Sequence, residues 1–184
     1  MRVIAGSAKG HRLKAPKRMA TRPATDLVKG AIFSMLESLT DNWENVLDLY
    51  SGSGGLGIEA LSRGAGWVDF VDHARQCCAI IKENLDKTKF SEFARVHCTT
   101  VNKALAFLDK EYGIILIDPP YPDTSIGDTI TQLADTKLVG ADTTVVVTHS
   151  PKNPLSEKYH TLKMIKEHRH GDSCISVYRK EEAA

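Results

Sequence analysis

Cysteine is scarce in this chain and is not arranged to bind metal or to staple a fold. The four cysteines, Cys77, Cys78, Cys98 and Cys174, form no C-x-x-C pair. Neither a zinc site nor a disulfide framework is suggested, and reduced thiols in a cytoplasmic protein are expected. No apolar run approaches the roughly 20 residues of a membrane span. The opening MRVIAGSAKGHRLKAPKR has no apolar signal core, which argues against export. Internal repeats and low-complexity segments are missing too. Aromatic residues make up only 7% of the 184 residues, beside 42% hydrophobic and 26% charged. That composition suits one ordinary folded domain with a sizeable core. Seven histidines are scattered, and His168 and His170 alternate like residues on one strand face. They read as surface residues, so no metal is expected. A monomer with no membrane partner is the simplest expectation.

Charge is unevenly spread. The first 30 residues hold eight bases (Arg2, Lys9, Arg12, Lys14, Lys17, Arg18, Arg22 and Lys29) against one acid, Asp26. The whole chain carries a net charge of only +1, so the remainder is acidic on balance. A basic end on an acidic body points to an anionic partner, of which RNA or DNA is the usual case.

Residues 2–5 and 12–14 flank a turn-rich stretch and predict a small hairpin or extended arm. Pro16 and Pro23 keep the next stretch non-helical. Thr25 or Asp26 can cap a helix over residues 27–39, where apolar residues recur at helical spacing. Strands are then predicted at residues 45–50, 67–72, 95–100, 112–118 and 143–148. Helices fall between them at 56–63, 75–88, 103–110 and 125–135. Two further strands, 160–167 and 174–179, meet at the turn Gly171-Asp172 and suggest an antiparallel pair. This alternation predicts a doubly wound α/β sheet, mostly parallel, with helices on both faces. The one plausible boundary falls near residues 40–45. It divides a basic N-terminal hairpin and helix, residues 1–40, from a sheet domain, residues 41–184.

Two segments carry chemistry. In Asp48-Leu49-Tyr50-Ser51-Gly52-Ser53-Gly54-Gly55-Leu56-Gly57, a strand ends and a helix opens across G-x-G-x-x-G. Glycines there let the backbone turn sharply and approach a ligand. The pattern alone suits a dinucleotide as well. However, Asp48 at the strand end would repel a pyrophosphate and attract a cationic ammonium. S-adenosylmethionine has an ammonium, a sulfonium and no phosphate. Asp72, at the end of the next strand, can accept from both ribose hydroxyls of an adenosine. His73 and the turn Thr100-Val101-Asn102 are candidates for the adenine walls.

The second segment is the apolar strand running into Asp118-Pro119-Pro120-Tyr121. In a doubly wound sheet the carboxyl ends of the strands form the binding crevice, so Asp118 should face the glycine turn. The lone pair of an exocyclic amine on a base is delocalised into the ring. A carboxylate together with a carbonyl of the Pro119-Pro120 segment can hold its two N–H groups and aim that lone pair. Prolines stiffen such a turn and donate nothing. The Tyr121 ring offers a face for an extruded base.

These residues resemble the RsmD family of bacterial 16S rRNA guanine-N2 methyltransferases, within the Rossmann-like class I methyltransferases. The resemblance runs along nearly the whole chain. Arg2-Val3-Ile4-Ala5-Gly6, Lys9-Gly10-His11-Arg12-Leu13 and Pro16 are similar to the family's R-I-I-G-G, R-G-R-x-L and P. Thr21-Arg22-Pro23-Ala24-Thr25-Asp26 with Val28, Phe33 and Leu36 follows its T-R-P signature. The glycine segment, continuing through Glu59-Ala60-Leu61-Ser62-Arg63-Gly64-Ala65, and Asp118-Pro119-Pro120-Tyr121 match its two core motifs. The resemblance implies a seven-stranded sheet with an antiparallel last strand and an N-terminal β-hairpin extension for RNA. It implies S-adenosylmethionine as methyl donor and a guanine of 16S rRNA in the assembled small subunit as target. Asp118, Pro119, Pro120 and Tyr121 are then the catalytic candidates. Asp48, Tyr50, Ser51, Gly52, Ser53, Gly54, Leu56, Gly57, Asp72, His73, Val101 and Asp118 are the cofactor candidates. Arg2, Lys9, Arg12, Lys14, Arg18, Thr21 and Arg22 are the RNA candidates.

The chain departs from the family pattern at Ala5, at Lys29-Gly30 in place of Arg-Glu, at Asp72 in place of Glu, and at His149 in place of an acid. Competing readings are methylation of another amine (adenine N6 or a glutamine side chain), an NAD-dependent oxidoreductase, and a non-catalytic RNA-binding factor on the same fold. Glutamine-modifying enzymes place Asn before Pro-Pro-Tyr, and a dehydrogenase has no use for D-P-P-Y.

Overall fold

Short β-branched runs broken by amphipathic helices can bury both faces of a strand only in a layered α/β arrangement, and the chain adopts one. The computed structural model describes residues 1–17, 25–121 and 123–182. Helix α1 (Asp26–Leu39) precedes β1 (Asn45–Leu49), α2 (Gly55–Ser62), β2 (Trp67–Asp72), α3 (Arg75–Thr88) and β3 (Ala94–Cys98). Then come α4 (Val101–Phe107), β4 (Tyr112–Ile117), α5 (Ile126–Ala134) and β5 (Val139–His149). The chain finishes with β6 (Lys158–Tyr159), β7 (Leu162–His170) and β8 (Ser173–Lys180). Sheet order is β3-β2-β1-β4-β5-β8-β7-β6. Strands β1 to β5 pair in parallel, while β8 runs antiparallel between β5 and β7.

Seven of these strands are the ones expected from the sequence. The eighth, β6, has two residues and pairs antiparallel at the outer edge with Lys163 and Leu162. Its turn passes through His160 at φ 53, so β7 starts two residues later than its apolar pattern suggests. Helix α4 starts at Val101, because the Thr100 hydroxyl caps it by accepting from Lys103 N–H at 3.3 Å.

Strand alternation sorts the core into two layers. Val46, Val68, Ile114, Leu116, Val146 and Ile175 face α1, α2 and α3. Leu47, Leu49, Val71, Ile115, Ile117, Val145 and Val147 face α4 and α5. Sheet order reverses between β1 and β4, the switch point beside which ligands bind in such sheets.

The N-terminal arm pairs as a loose hairpin through an Arg2–Arg12 bridge, with Val3 N–H donating to His11 O at 2.9 Å and Gly10 N–H to Val3 O at 2.9 Å. Val3, Ala8 and Leu13 are buried in the same layer as α1 and α2. A charge cluster centred on the buried Glu59 and Lys29 fixes the arm there. Glu59 of α2 accepts the N–H groups of Ile4 and Ala5 at 2.9 and 3.0 Å. Its carboxylate also meets Lys29 Nζ at 3.3 Å and Arg63 Nε at 2.9 Å. Lys29 donates in turn to Arg2 O at 2.6 Å. Gly6, at φ +87, passes so close to Ser62 that an added Cβ would stand 1.8 Å from its carbonyl oxygen.

Gly30 has no such excuse. An added Cβ there meets nothing within 4 Å, and glycine in a helix interior costs about 1 kcal/mol against alanine. Gly30→Ala should therefore raise the melting midpoint by about 2–4 °C, read by calorimetry.

Candidate active site

The first turn after β1 is built from backbone and carboxylates. Tyr50 adopts φ 57, and Gly52 and Gly54 follow at φ 59 and 83. Asp48, on the α1–α3 side of β1, is buried, and its Oδ2 accepts the Gly57 N–H at 3.0 Å. Burial holds its carboxyl well above the usual carboxylate range, against the pull of that N–H, with Asp118 and Asp72 adding repulsion. Gly57 is pressed between Asp48 and Phe70, where a Cβ would lie 2.3 Å from the ring. The Ser51 hydroxyl ties β1 to β2 through Asp48 O at 2.5 Å and the backbone of Val71 at 3.0 and 3.1 Å. Asn84 of α3 donates to Ser53 O at 2.9 Å.

Asp72 closes the turn from the β2 side. Its Oδ2 accepts from Gly52 N–H and its Oδ1 from Ala74 N–H, both at 2.9 Å. A carboxylate has about four acceptor positions, so capacity remains toward the cleft that Asp72 lines. That cleft, of about 300 Å³, is bounded by Tyr50, Asp72, His73, Thr100, Val101 and Asn102 and, from the other side, by Ser125, Asp128, Thr129 and Gln132. Tyr50 is steadied by its hydroxyl contact with Thr129 Oγ1 at 3.2 Å. An acid, a buried valine and side-chain amides around this volume suit a ribose with a flat polar ring.

Asp118 follows the last residue of β4. Its N–H reaches Leu49 O at 3.5 Å, so the tips of β4 and β1 adjoin. The carboxylate turns toward the α1–α3 side, where the buried Thr148 hydroxyl of β5 donates to Oδ1. Burial pushes the Asp118 carboxyl up to about 6, with the Thr148 hydrogen bond opposing. The Tyr121 hydroxyl sits 2.5 Å from Ser173 Oγ on β8. Beyond Asp118 lies a second cleft of about 340 Å³, lined by Pro119, Pro120 and Tyr121 and by residues of the loop after β5, among them His149, Ser150, Lys152 and Asn153. His149 is buried: Nδ1 lies 3.1 Å from the carbonyls of both Ser150 and Asn153, and Nε2 lies 2.8 Å from Ser176 Oγ. It thus anchors this loop.

The candidate residues therefore divide by position. Tyr50, Asp72, His73 and Val101 line the first cleft, and Pro119, Pro120 and Tyr121 the second. Asp118 stands near enough to Asp48 to raise the tendency of Asp48 to hold a proton. Ser51, Ser53, Gly54, Leu56 and Gly57 are packed inward and shape the turn from behind. Arg2, Lys9, Arg12 and Lys14 are exposed on the arm, with Arg2 3.4 Å from Asp26 and Lys14 3.0 Å from Glu83. Arg18, Thr21 and Arg22 lie outside the described residues. Sequence reasoning did not foresee Thr148, Asn84 or the α5 residues Asp128, Thr129 and Gln132. For the last three a signal existed, since with Ser125 they fall at the i, i+3, i+4, i+7 positions of one helical face. Among the described residues there is no cluster of histidine, cysteine and acids able to hold a metal, and no helix long and apolar enough to cross a membrane.

A sheet of this order, with a glycine turn after its first strand and D-P-P-Y after its fourth, defines the Rossmann-like methyltransferase class. Residues 1–179 match the family described as "Conserved hypothetical protein 95". YlbH of Bacillus subtilis (strain 168) is 37% identical over 183 residues, spanning 98% of this chain and 99% of that protein. "Ribosomal RNA small subunit methyltransferase D" of Escherichia coli (strain K12) is 28% identical over 181 residues, spanning 98% and 90%. The solved structure of Escherichia coli yhhF superposes with a TM-score of 0.86 at 28% identity, covering 100% of this chain and 99% of that one. The chain belongs to the RsmD family.

Proposed function

We propose that this protein methylates the exocyclic N2 amine of a guanine in 16S rRNA, within the assembled small ribosomal subunit, using S-adenosylmethionine. The observation that carries the reading is the junction of the β1 and β4 tips, with Asp48 behind the glycine turn, Asp118 beside it and Tyr121 at the mouth of the next cleft. The name of the Escherichia coli relative supports rRNA of the small subunit as substrate.

The residues present fit the donor. Asp72 with His73 and Val101 would hold the adenosine, and the turn from Tyr50 to Gly57 would take the amino-acid end. The buried Asp48 and the partly buried Asp72 and Asp118 favour a cationic ligand. When bound, S-adenosylmethionine supplies an electrophilic methyl group.

The chain's own residues do the rest. Asp118 and a carbonyl of Pro119-Pro120 accept the two N–H groups of the base amine and aim its lone pair. Tyr121 stacks on the base, its ring held by Ser173. The proton released from nitrogen passes to Asp118 or to water. Arg2, Lys9, Arg12 and Lys14, with Arg18, Thr21 and Arg22, supply the phosphate contacts from residues 1–40, and residues 41–184 perform the transfer.

The test incubates the protein with labelled S-adenosylmethionine and, separately, small subunits, naked rRNA and DNA, and identifies the nucleoside by mass spectrometry. N2-methylguanosine from subunits is expected. N6-methyladenosine would move the target to adenine, and RNA binding without any labelled nucleoside would mark a non-catalytic factor. In the same assay Asp72→Ala should weaken S-adenosylmethionine binding about tenfold to a hundredfold, the worth of hydrogen bonds to a charged acceptor. Its kcat at saturating donor should change little; calorimetric titration reads the first quantity and initial rates the second.

A further inference from the structure

The hairpin of β7 and β8 passes the catalytic motif with side chains that the mechanism leaves unused. A line of paired residues crosses the sheet on the α1–α3 side: Asp118 takes its hydrogen bond from Thr148, Thr148 pairs with Ile175, and Ile175 pairs with His168. Strands lie about 4.8 Å apart, so His168 stands roughly 15 Å from the catalytic carboxylate. That is too far for the target base and suitable for its neighbours in the strand. His170 pairs with Ser173, the residue whose hydroxyl holds Tyr121. The two histidine rings lie together, centroids 4.4 Å apart and tilted by 58°. His168 is exposed and His170 partly so.

Their surroundings are cationic and partly apolar. Lys166, opposite Val177 on the same face, is exposed, and Ile165 is 47% exposed at the neighbouring bulge. Glu167, the only acid of β7, lies on the opposite face, where it accepts from the Ser176 hydroxyl at 3.1 Å. Flat rings flanked by a lysine, continuous with the base-stacking tyrosine, match the alternating bases and phosphates of a single strand. We infer that His168 and His170, with Lys166, form a second RNA platform that takes nucleotides flanking the target guanine. This inference rests on the rRNA reading above and adds a site to it.

The test compares the full-length wild type with the pairs His168→Ala/His170→Ala and His168→Phe/His170→Phe. Substrates are small subunits and S-adenosylmethionine. The alanine pair should raise KM for subunits about tenfold, the scale of a lost base–aromatic stack, with kcat and donor affinity within twofold of wild type. The phenylalanine pair should restore KM to within about threefold, because a phenyl face stacks without the charge. A separate Lys166→Gln variant should lower the slope of log KM against log salt by about one, and it reports even if the alanine pair melts early. An unchanged KM in the alanine pair together with an unchanged salt slope in Lys166→Gln would overturn the inference. Equal loss in the alanine and phenylalanine pairs would overturn it as well, and would point to a charge-based contact with a protein. A wild type that makes no N2-methylguanosine on subunits is a different failure, that of the rRNA reading itself.

Discussion

Asp118→Ala should lower kcat by about a hundredfold to ten-thousandfold, the usual worth of a positioned acceptor or base, while S-adenosylmethionine binding stays within a few-fold of wild type. The side chain that makes this prediction sharp adjoins the glycine turn without holding it. Its hydrogen bond comes from Thr148 on β5, and only its backbone N–H touches β1. The removal therefore spares the turn held by Asp48 and Asp72. A pH profile adds a second reading. The ionised carboxylate is the stronger acceptor and alone can take up the amine's proton, and burial lifts this carboxyl to about 6. Activity measured as kcat/KM should fall about tenfold per unit as pH drops below about 6.

Stability moves the other way. The folded value lies above the unfolded one near 3.9, so between these two values the native state binds more proton than the unfolded state. Unfolding free energy therefore decreases as pH rises from about 4 to about 6 and stays reduced above that. Asp118→Asn, measured near pH 7.5 by calorimetry, should be more stable than wild type by about 1–2 kcal/mol while nearly inactive. Equal or lower stability would show that the carboxylate is not held at a cost.

The largest structural effect is expected at Glu59. Glu59→Gln leaves Lys29 without its counter-charge where both side chains are closed to solvent, while Arg63 keeps Glu37 at 3.0 Å. Burial already draws the Lys29 ammonium below its ordinary value, with Glu59 as the first opposing influence. Removing one partner of a buried ion pair typically costs about 3–5 kcal/mol. The melting midpoint should accordingly fall by about 6–20 °C. Lys29→Met added to Glu59→Gln should recover part of the loss, since it removes the stranded cation, and a double-mutant cycle measures the coupling. Full additivity of the two substitutions would contradict the assignment. Hydrogen exchange at Ile4 and Ala5, whose N–H groups end on this carboxylate, should speed up in the single variant.

Much of the architecture was legible because strands such as 112–117 are unbroken apolar runs and their helices repeat at 3.6 residues. Asp48, Asp72 and Asp118 could be placed at strand tips from that alternation alone. What escaped notice did so for physical reasons. Lys29 was counted with the basic end and Glu59 stood only in a motif, because a sequence shows no sign that two charges far apart along the chain will neutralise each other inside. Strand β6 is two residues long and carries no period. Ser51 and Ser53 look available in a glycine turn, yet the turn curls them into the packing. Thr148 sits in a run of valines where a hydroxyl passes for another β-branched filler. Nor does the sequence show that Val3, Ala8 and Leu13 of the arm share one layer with α1 and α2.

Asn84 shows what that shared layer entails. Its amide receives Lys14 N–H at 2.9 Å and donates both to Lys14 O at 3.0 Å and to Ser53 O at 2.9 Å, so one side chain grips the arm and the glycine turn at once. Anything that quiets one of these segments lowers the entropy left to lose in the other, and the help must be mutual in free energy. Donor and RNA would each tighten the other's hold without sharing a single contact.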